Sequence, residues 1–110
     1  MKQIVFTGVN KAELLEVERK APAENEVLVK TVFSTISSGT ERANITGNVN
    51  VSVNDMTHGK APVFPRMSGY SSSGIVVETG KNVKSVKPGD RVVVSWGHHK
   101  QYNTVQEKNV

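Results

Sequence analysis

The segment GIVVETGKNVKSVKPGDRVVV, residues 74–94, decides the fold because it joins two strand-like runs through strong turn signals. Residues 74–79 are the end of a strand predicted over 66–79, and residues 91–94 are the beginning of a strand predicted over 91–96. Both runs are rich in valine and isoleucine, whose branched side chains pack well on a pleated sheet. Between them, Gly80-Lys81-Asn82 is typical of a turn, and Lys87-Pro88-Gly89-Asp90 has the central Pro-Gly pair of a type II turn.

The composition extends this prediction to the whole chain. Of 110 residues, 19 are Val, 4 are Ile and 8 are Thr, against 3 Leu. So many β-branched residues exclude a helix bundle, and the length fits one domain over 1–110. We therefore predict a mostly β domain whose short strands form a small barrel or sandwich.

Alternating or β-rich stretches predict the other strands. The stretch Glu26–Ile36 is the longest, and it is apolar enough on both faces to be a central, largely buried strand. The remaining predicted strands are Lys2–Thr7, Glu13–Arg19 and, more loosely, Gly97–Gln106.

Residues 37–65 interrupt the strand pattern. A hydroxyl residue precedes an acidic one near Ser37, and the following stretch runs to Gly47, which predicts a short capped helix. Residues 48–65 are polar and lack a clear period, so we predict a long loop of the functional or mobile kind.

Several functional classes are excluded by what the chain lacks. It has no cysteine, hence no disulfide, thiolate zinc site or cysteine nucleophile. Its apolar stretches reach only three residues, far below the roughly 20 that span a membrane. The N-terminus turns polar too quickly for a signal peptide, so we expect a cytoplasmic protein without a membrane partner.

The net charge of +4 and the sequence pI near 9.5 raise the question of nucleic-acid binding. The basic residues are scattered singly, apart from the adjacent Arg19 and Lys20. Aromatic residues are 5% of the chain and do not interleave with the basic ones, as stacking surfaces require. We therefore predict no nucleic-acid partner.

Common catalytic and cofactor motifs are also missing. No glycine set fits G-x-G-x-x-G or a phosphate loop, and no serine lies in G-x-S-x-G. The neighbouring His98 and His99 would point to opposite faces of a strand and could not chelate one metal, and His58 stands alone. The run 71–73, between Gly69 and Gly74, fits either close strand packing or a ligand contact.

Four segments, taken in order, resemble one family. They are 2–8 (KQIVFTG), 25–30 (NEVLVK), 74–83 (GIVVETGKNV) and 87–94 (KPGDRVVV). Their order and spacing are similar to the N-terminal GroES-like domain of medium-chain dehydrogenases/reductases, the alcohol dehydrogenase superfamily. Residues 97–102 are similar to the family's G-x-H-A-E-Y strand.

The resemblance implies a GroES-like, partly open β-barrel with one or two short helices. It also implies a second, Rossmann-type domain that binds NAD(P), with the active site between the two domains and a small-molecule substrate. We expect this chain to be the substrate-side domain alone, inactive without its Rossmann partner. The resemblance leaves a homodimer open.

The chain departs from the family's zinc-dependent pattern. Ser38 stands where zinc-dependent members have a cysteine ligand, Tyr70 where they have a histidine ligand, and Ser71 where glutamate follows. Hydroxyl groups are poor zinc ligands at neutral pH. The resemblance therefore implies a zinc-independent branch and no metal site.

The same alignment implies the site residues. Thr40 matches the family's proton-relaying hydroxyl, and we assign catalytic roles to Thr40 and Tyr70. Substrate binding is assigned to Ser38, Glu41 and Ser71. Two simpler interpretations stay open: Thr40 and Glu41 only cap the short helix, and Tyr70 only packs with its hydroxyl on a backbone partner.

Two other functions are alternatives. The fold name and the long loop suggest a subunit of a co-chaperonin ring, although the loop lacks an aliphatic triplet for docking. A free-standing module that binds a small molecule or peptide is the other alternative.

Overall fold

The computed structural model describes residues 1–47 and 63–110, which form two antiparallel sheets. The strands are β1 (Lys2–Gly8), β2 (Lys11–Glu16), β3 (Glu26–Ser34), β4 (Arg66–Met67), β5 (Ser71–Thr79), β6 (Arg91–Ser95) and β7 (Tyr102–Gln106). Helix α1 (Ser38–Thr46) follows β3, and a 3₁₀ turn (Glu107–Asn109) follows β7. The mostly β class with a short helix is confirmed. The long loop predicted over 48–65 lies largely outside the described residues, as does His58.

The first sheet has the order β2-β1-β4 and the second has the order β6-β5-β3-β7. The core cluster belongs to the second sheet: Val27, Val29, Val76, Val94 and Val105. These valines come from all four strands of that sheet, so the apolar side of this sheet forms the core. In the described part of the chain, no helix is long and apolar enough to cross a membrane.

Strand β3 is central, as its sequence predicts, but only its first half is buried. Residues Val27 to Val29 are at most 1% exposed, whereas Phe33 is 74% exposed and Val32 is 55% exposed. The prediction of a largely buried strand was therefore wrong for its second half. That half extends beyond the β7 pairing, which ends at Lys30, so β7 no longer flanks it.

The single strand predicted over 66–79 is two strands in different sheets. The short β4 pairs with β1, and β5 pairs with β3. Between them the backbone turns at Gly69, whose φ of +84° suits glycine. This break places a turn, rather than a straight strand, beside the start of α1.

Strand β2 lies earlier than predicted, over Lys11–Glu16 instead of 13–19. It is an edge strand, so Leu14 stays 63% exposed despite the alternating pattern. The predicted type II turn is confirmed: Gly89 has φ +93°, and the Asp90 amide donates to the Lys87 carbonyl at 3.1 Å.

The serine and glycine run in β5 follows from close packing. A Cβ atom on Gly74 would lie 2.2 Å from the Lys30 carbonyl oxygen of the neighbouring strand. Ser72 is buried, while Ser71 and Ser73 are half-buried. Of the two interpretations of this run, close packing holds at Gly74 and Ser72.

Candidate functional site

Glu41 joins helix α1 to the turn between β4 and β5. Its side chain is 13% exposed, and its Oε1 accepts a hydrogen bond from the Gly69 amide at 2.7 Å. The helix is held in place at its other end as well, because the buried Asn44 side chain donates to the Met67 carbonyl at 2.9 Å. Two segments nearly thirty residues apart in the sequence therefore meet.

The His99 ring connects this contact to the end of β3. Its Nε2 lies 3.2 Å from Glu41 Oε1, and its Nδ1 lies 2.7 Å from Ser34 Oγ. The backbone fixes the ring's position, since the His99 amide donates to the Ser68 carbonyl and the His99 carbonyl accepts from Ile4. His99 is 8% exposed, so these bonds form in a largely dry environment.

Gly69 packs directly on the imidazole of His99. A Cβ atom at this position would lie 2.9 Å from three atoms of the ring. Any side chain here would displace the ring, in addition to straining the positive φ. The glycine therefore sets the position of the histidine between Ser34 and Glu41.

His98 is hydrogen-bonded to the same glycine. Its Nδ1 donates to the Gly69 carbonyl at 3.0 Å, and its amide donates to Asn103 Oδ1 at 2.9 Å. The prediction that His98 and His99 face opposite sides of a strand was wrong, because both precede β7 and lie outside any strand. Burial lowers the pKa of His98, and the bond to Gly69 only partly opposes this.

We expect the stability of the chain to fall between pH 7.5 and 5.5 because of His98. Its pKa is lower in the folded chain, so the unfolded chain binds the proton first as the pH falls through about 6.5. The stability that neutral His98 contributes is present above that pH and is lost below it. Urea unfolding at both pH values measures the loss, and His98→Gln should reduce it.

The three carboxyl groups whose pKa values are lowered do not obscure this measurement. Glu26 has a lowered pKa because it accepts from the Ala23 amide and the Lys20 side chain. Asp90 and Glu107 also have lowered pKa values, from hydrogen bonds to Lys87 and to Lys84 with Ser85. These groups titrate below the range tested. An equal loss of stability in the His98→Gln variant would contradict the assignment.

The two residues predicted to be catalytic are the sequence neighbours of Glu41 and Gly69. Thr40 precedes Glu41 in the first turn of α1, is exposed, and accepts a hydrogen bond from Ser37 Oγ at 3.2 Å. Tyr70 follows Gly69, is 39% exposed, and packs its ring 6.1 Å from that of Trp96. The fold thus brings the two segments together through the Glu41–Gly69 hydrogen bond, and the catalytic roles stay predictions.

The predicted capping role finds little support in the contacts. The N-cap residue is Ser37, and its side chain makes no capping hydrogen bond to the helix backbone. Thr40 lies three residues inside the helix, and its hydroxyl contacts only Ser37 Oγ among the described residues. The helix does end as predicted, at Gly47 in the left-handed conformation with φ +67°.

The three residues predicted to bind substrate differ in exposure. Ser38 is exposed at the first position of α1, and Ser71 is half-buried at the start of β5, where its carbonyl accepts from Thr35. Glu41 is largely buried with Oε1 occupied by two internal donors. These contacts favour a positioning role for Glu41, and direct substrate binding stays a prediction for all three.

Sequence reasoning missed Ser34 and underestimated His99. The sequence pattern makes Ser34 one residue of a strand predicted to be buried, and His99 is considered from the sequence only as a metal ligand. The signal available was the resemblance of Gly97–Tyr102 to G-x-H-A-E-Y, whose histidine aligns with His99. The described residues contain no group of three or more His, Asp or Glu arranged to hold a metal ion.

Comparison with known proteins agrees with the family resemblance of the sequence. The family model for the alcohol dehydrogenase GroES-like domain matches residues 23–109. An alcohol dehydrogenase of Geobacillus stearothermophilus is 37% identical over 100 residues, which is 87% of this chain and 26% of the relative. An S-(hydroxymethyl)glutathione dehydrogenase of Escherichia coli O1:K1 is 32% identical over 82% of this chain and 21% of its own length.

Solved structures share the fold. An alcohol dehydrogenase superfamily protein from Novosphingobium aromaticivorans gives a TM-score of 0.80 at 25% identity, over 99% of this chain and 33% of its own. The Escherichia coli quinone oxidoreductase complexed with NADPH gives 0.73 at 22% identity, over 99% and 32%. The chain therefore spans about a quarter of those curated relatives and about a third of those structures.

Proposed function

Because the chain belongs to the alcohol dehydrogenase GroES-like domain family, we propose that it is the substrate-side domain of a zinc-independent, NAD(P)-dependent oxidoreductase. The observation that carries this proposal is the Glu41–Gly69 hydrogen bond of 2.7 Å. It holds the start of α1 against the turn before β5. Thr40 and Tyr70 are the sequence neighbours of the two residues that it joins. We propose that these two neighbouring segments present the hydroxyl groups of Thr40 and Tyr70 to a small molecule.

The described residues do not fit a nicotinamide cofactor by themselves. All the strand pairs in both sheets are antiparallel, so the described part lacks the parallel strand–helix–strand unit that holds dinucleotides. The sequence has no glycine fingerprint either. Cofactor binding thus belongs to a partner Rossmann domain, and we propose that this chain alone is inactive.

Zinc independence rests on the chemistry of the donor groups. The positions that resemble the family's zinc ligands hold Ser38 and Tyr70, whose hydroxyls bind zinc poorly at neutral pH. Without a metal, hydrogen bonds must polarise a substrate carbonyl. We propose that Thr40 and Tyr70 donate them, that Ser38 and Ser71 bind neighbouring polar groups of the substrate, and that the reaction takes place in the cytoplasm.

A chimera tests this function. The chain replaces the equivalent N-terminal stretch of the Geobacillus stearothermophilus alcohol dehydrogenase, which keeps its own cofactor-binding part. We expect the chimera to oxidise or reduce at least one member of a panel of alcohols, aldehydes and quinones in the presence of a chelator. A folded chimera that binds cofactor and turns over no member of the panel would contradict the proposal.

Two controls accompany the chimera. The chain by itself, titrated calorimetrically with NADH and NADPH, should show no dissociation constant below roughly 10 µM. Elemental analysis of the chain should find far less than one zinc per molecule. Tight cofactor binding by the chain alone, or one zinc that resists mild chelation, would argue against the assigned role.

A further inference from the structure

We propose that Ser34, His99 and Glu41 form a nucleophile, base and carboxylate relay in which Ser34 attacks small apolar acyl esters. Serine nucleophiles are recognised by geometry and not by their order in the sequence. Here the serine hydroxyl lies 2.7 Å from one nitrogen of an imidazole whose other nitrogen lies 3.2 Å from a carboxylate. The inference does not depend on the proposed oxidoreductase function.

The hydrogen bonds fix the direction of proton transfer. Glu41 Oε1 already accepts a hydrogen bond from the Gly69 amide, so it is an acceptor here as well, and the Nε2–H group of His99 donates a hydrogen bond to it. Nδ1 then carries the free lone pair and faces Ser34 Oγ. The relay is therefore oriented to take the proton of the serine hydroxyl, with the two imidazole nitrogens in exchanged roles compared with serine proteases.

Burial makes the base and the carboxylate a fixed pair. The side chains of His99 and Glu41 are 7% and 13% exposed, while Ser34 is an exposed residue at the end of β3. Gly69 packs against the ring, and the backbone of His99 is hydrogen-bonded to Ser68 and Ile4. An exposed serine residue whose hydroxyl contacts a buried imidazole paired with a carboxylate is an arrangement that nucleophilic catalysis uses.

The neighbours of Ser34 indicate the class of ester. Val32 is 55% exposed and Ile36 is 72% exposed, and they lie two residues before and two residues after Ser34. This end of β3 therefore offers apolar surface on both sides of the serine along the chain. A short aliphatic acyl group has the chemistry to bind there.

The reaction balances without a cofactor. Ser34 Oγ bonds to the carbonyl carbon as its proton passes to His99 Nδ1, and the imidazolium is stabilised by the Glu41 carboxylate. The bond to the leaving alcohol breaks, and that alcohol takes the proton from Nδ1. Water then attacks the acyl-serine through the same base, releasing the carboxylic acid and restoring Ser34.

Labelling of the full chain with a short-chain alkyl fluorophosphonate tests the relay. This probe phosphonylates activated serines with loss of fluoride, and peptide mass spectrometry locates the modified residue. Ser85 is an internal control, because its Oγ donates to the Glu107 carboxylate at 2.9 Å without an imidazole. We expect Ser34 to be labelled about 100-fold faster than Ser85, which lies within the range of general-base catalysis.

Variants show whether the labelling rate of Ser34 depends on the relay or only on the exposure of the serine. His99→Gln should reduce labelling of Ser34 to the rate of Ser85, and Glu41→Gln should reduce it about tenfold. Glu107→Gln is the matched carboxylate control and should leave Ser34 labelling unchanged. With p-nitrophenyl butyrate, the unsubstituted chain should form an acyl adduct on Ser34.

The proposal is overturned if Ser34 and Ser85 are labelled at equal rates in the folded, unsubstituted chain. It is also overturned if His99→Gln remains folded by circular dichroism and leaves the rate at Ser34 unchanged. If His99→Gln fails to fold, the comparison of the two serines and the Glu41→Gln variant decide the question. A chimera that lacks oxidoreductase activity would leave this test unaffected, so the two proposals fail separately.

Discussion

Replacing Glu41 with alanine is expected to lower the free energy of unfolding by about 3 kcal/mol. The side chain is 13% exposed, and its Oε1 is the acceptor for the Gly69 amide and for His99 Nε2. Its removal leaves two donors in a dry environment without their acceptor, at about 1–3 kcal/mol each. Urea unfolding followed by circular dichroism measures the difference.

Two matched variants show whether the loss comes from these hydrogen bonds. Glu41→Gln keeps an oxygen acceptor and should cost only about 1 kcal/mol. Glu18→Ala removes an exposed carboxylate on the segment after β2 and should change stability by less than about 0.5 kcal/mol. If Glu41→Ala unfolds at the same urea concentration as the unchanged chain, Glu41 does not hold the turn.

Replacing Thr40 with valine in the chimera is expected to reduce turnover on the order of 10²-fold. Valine keeps the shape of threonine and removes the hydroxyl that we propose contacts the reacting oxygen. The stability of the chain should change by less than about 0.5 kcal/mol, because Thr40 is exposed and, among the described residues, its hydroxyl is hydrogen-bonded to Ser37 Oγ alone. Steady-state kinetics and urea unfolding of the same variant measure both effects.

The opposite pattern would identify a capping residue. If Thr40 only supports the helix, turnover survives and stability falls by about 1 kcal/mol. Thr40→Ser is the matched control, since it restores the hydroxyl without the methyl group and should keep most of the turnover. Loss of turnover in Thr40→Ser would show that the hydroxyl is not the group that matters.

Local sequence was sufficient to predict most of the strands and turns and the short helix. Valine-rich runs became strands because branched side chains suit a pleated surface, and Gly47 and Gly89 mark ends and turns because they adopt positive φ. The family resemblance was also local, since its four segments are strands and turns in fixed order. These features depend on neighbours in the chain, which a sequence displays directly.

Burial along a strand depended on which strands flank it. The second half of β3 also carries large apolar residues, yet Phe33 lies 74% exposed while Val29 is 1% exposed. Only the tertiary structure shows that β7 pairs no further than Lys30, which leaves the later residues with one neighbouring strand fewer.

The sequence by itself determined the mostly β class and the short helix, and its family resemblance predicts one site for Thr40 and Tyr70. The tertiary structure decided that Glu41, His99 and Ser34 meet. Their positions span 65 residues, from Ser34 to His99, and the bond between Ser34 and His99 closes that separation. No local pattern encodes such a contact, because it depends on the turn at Gly69 and on the packing of a glycine against the imidazole ring.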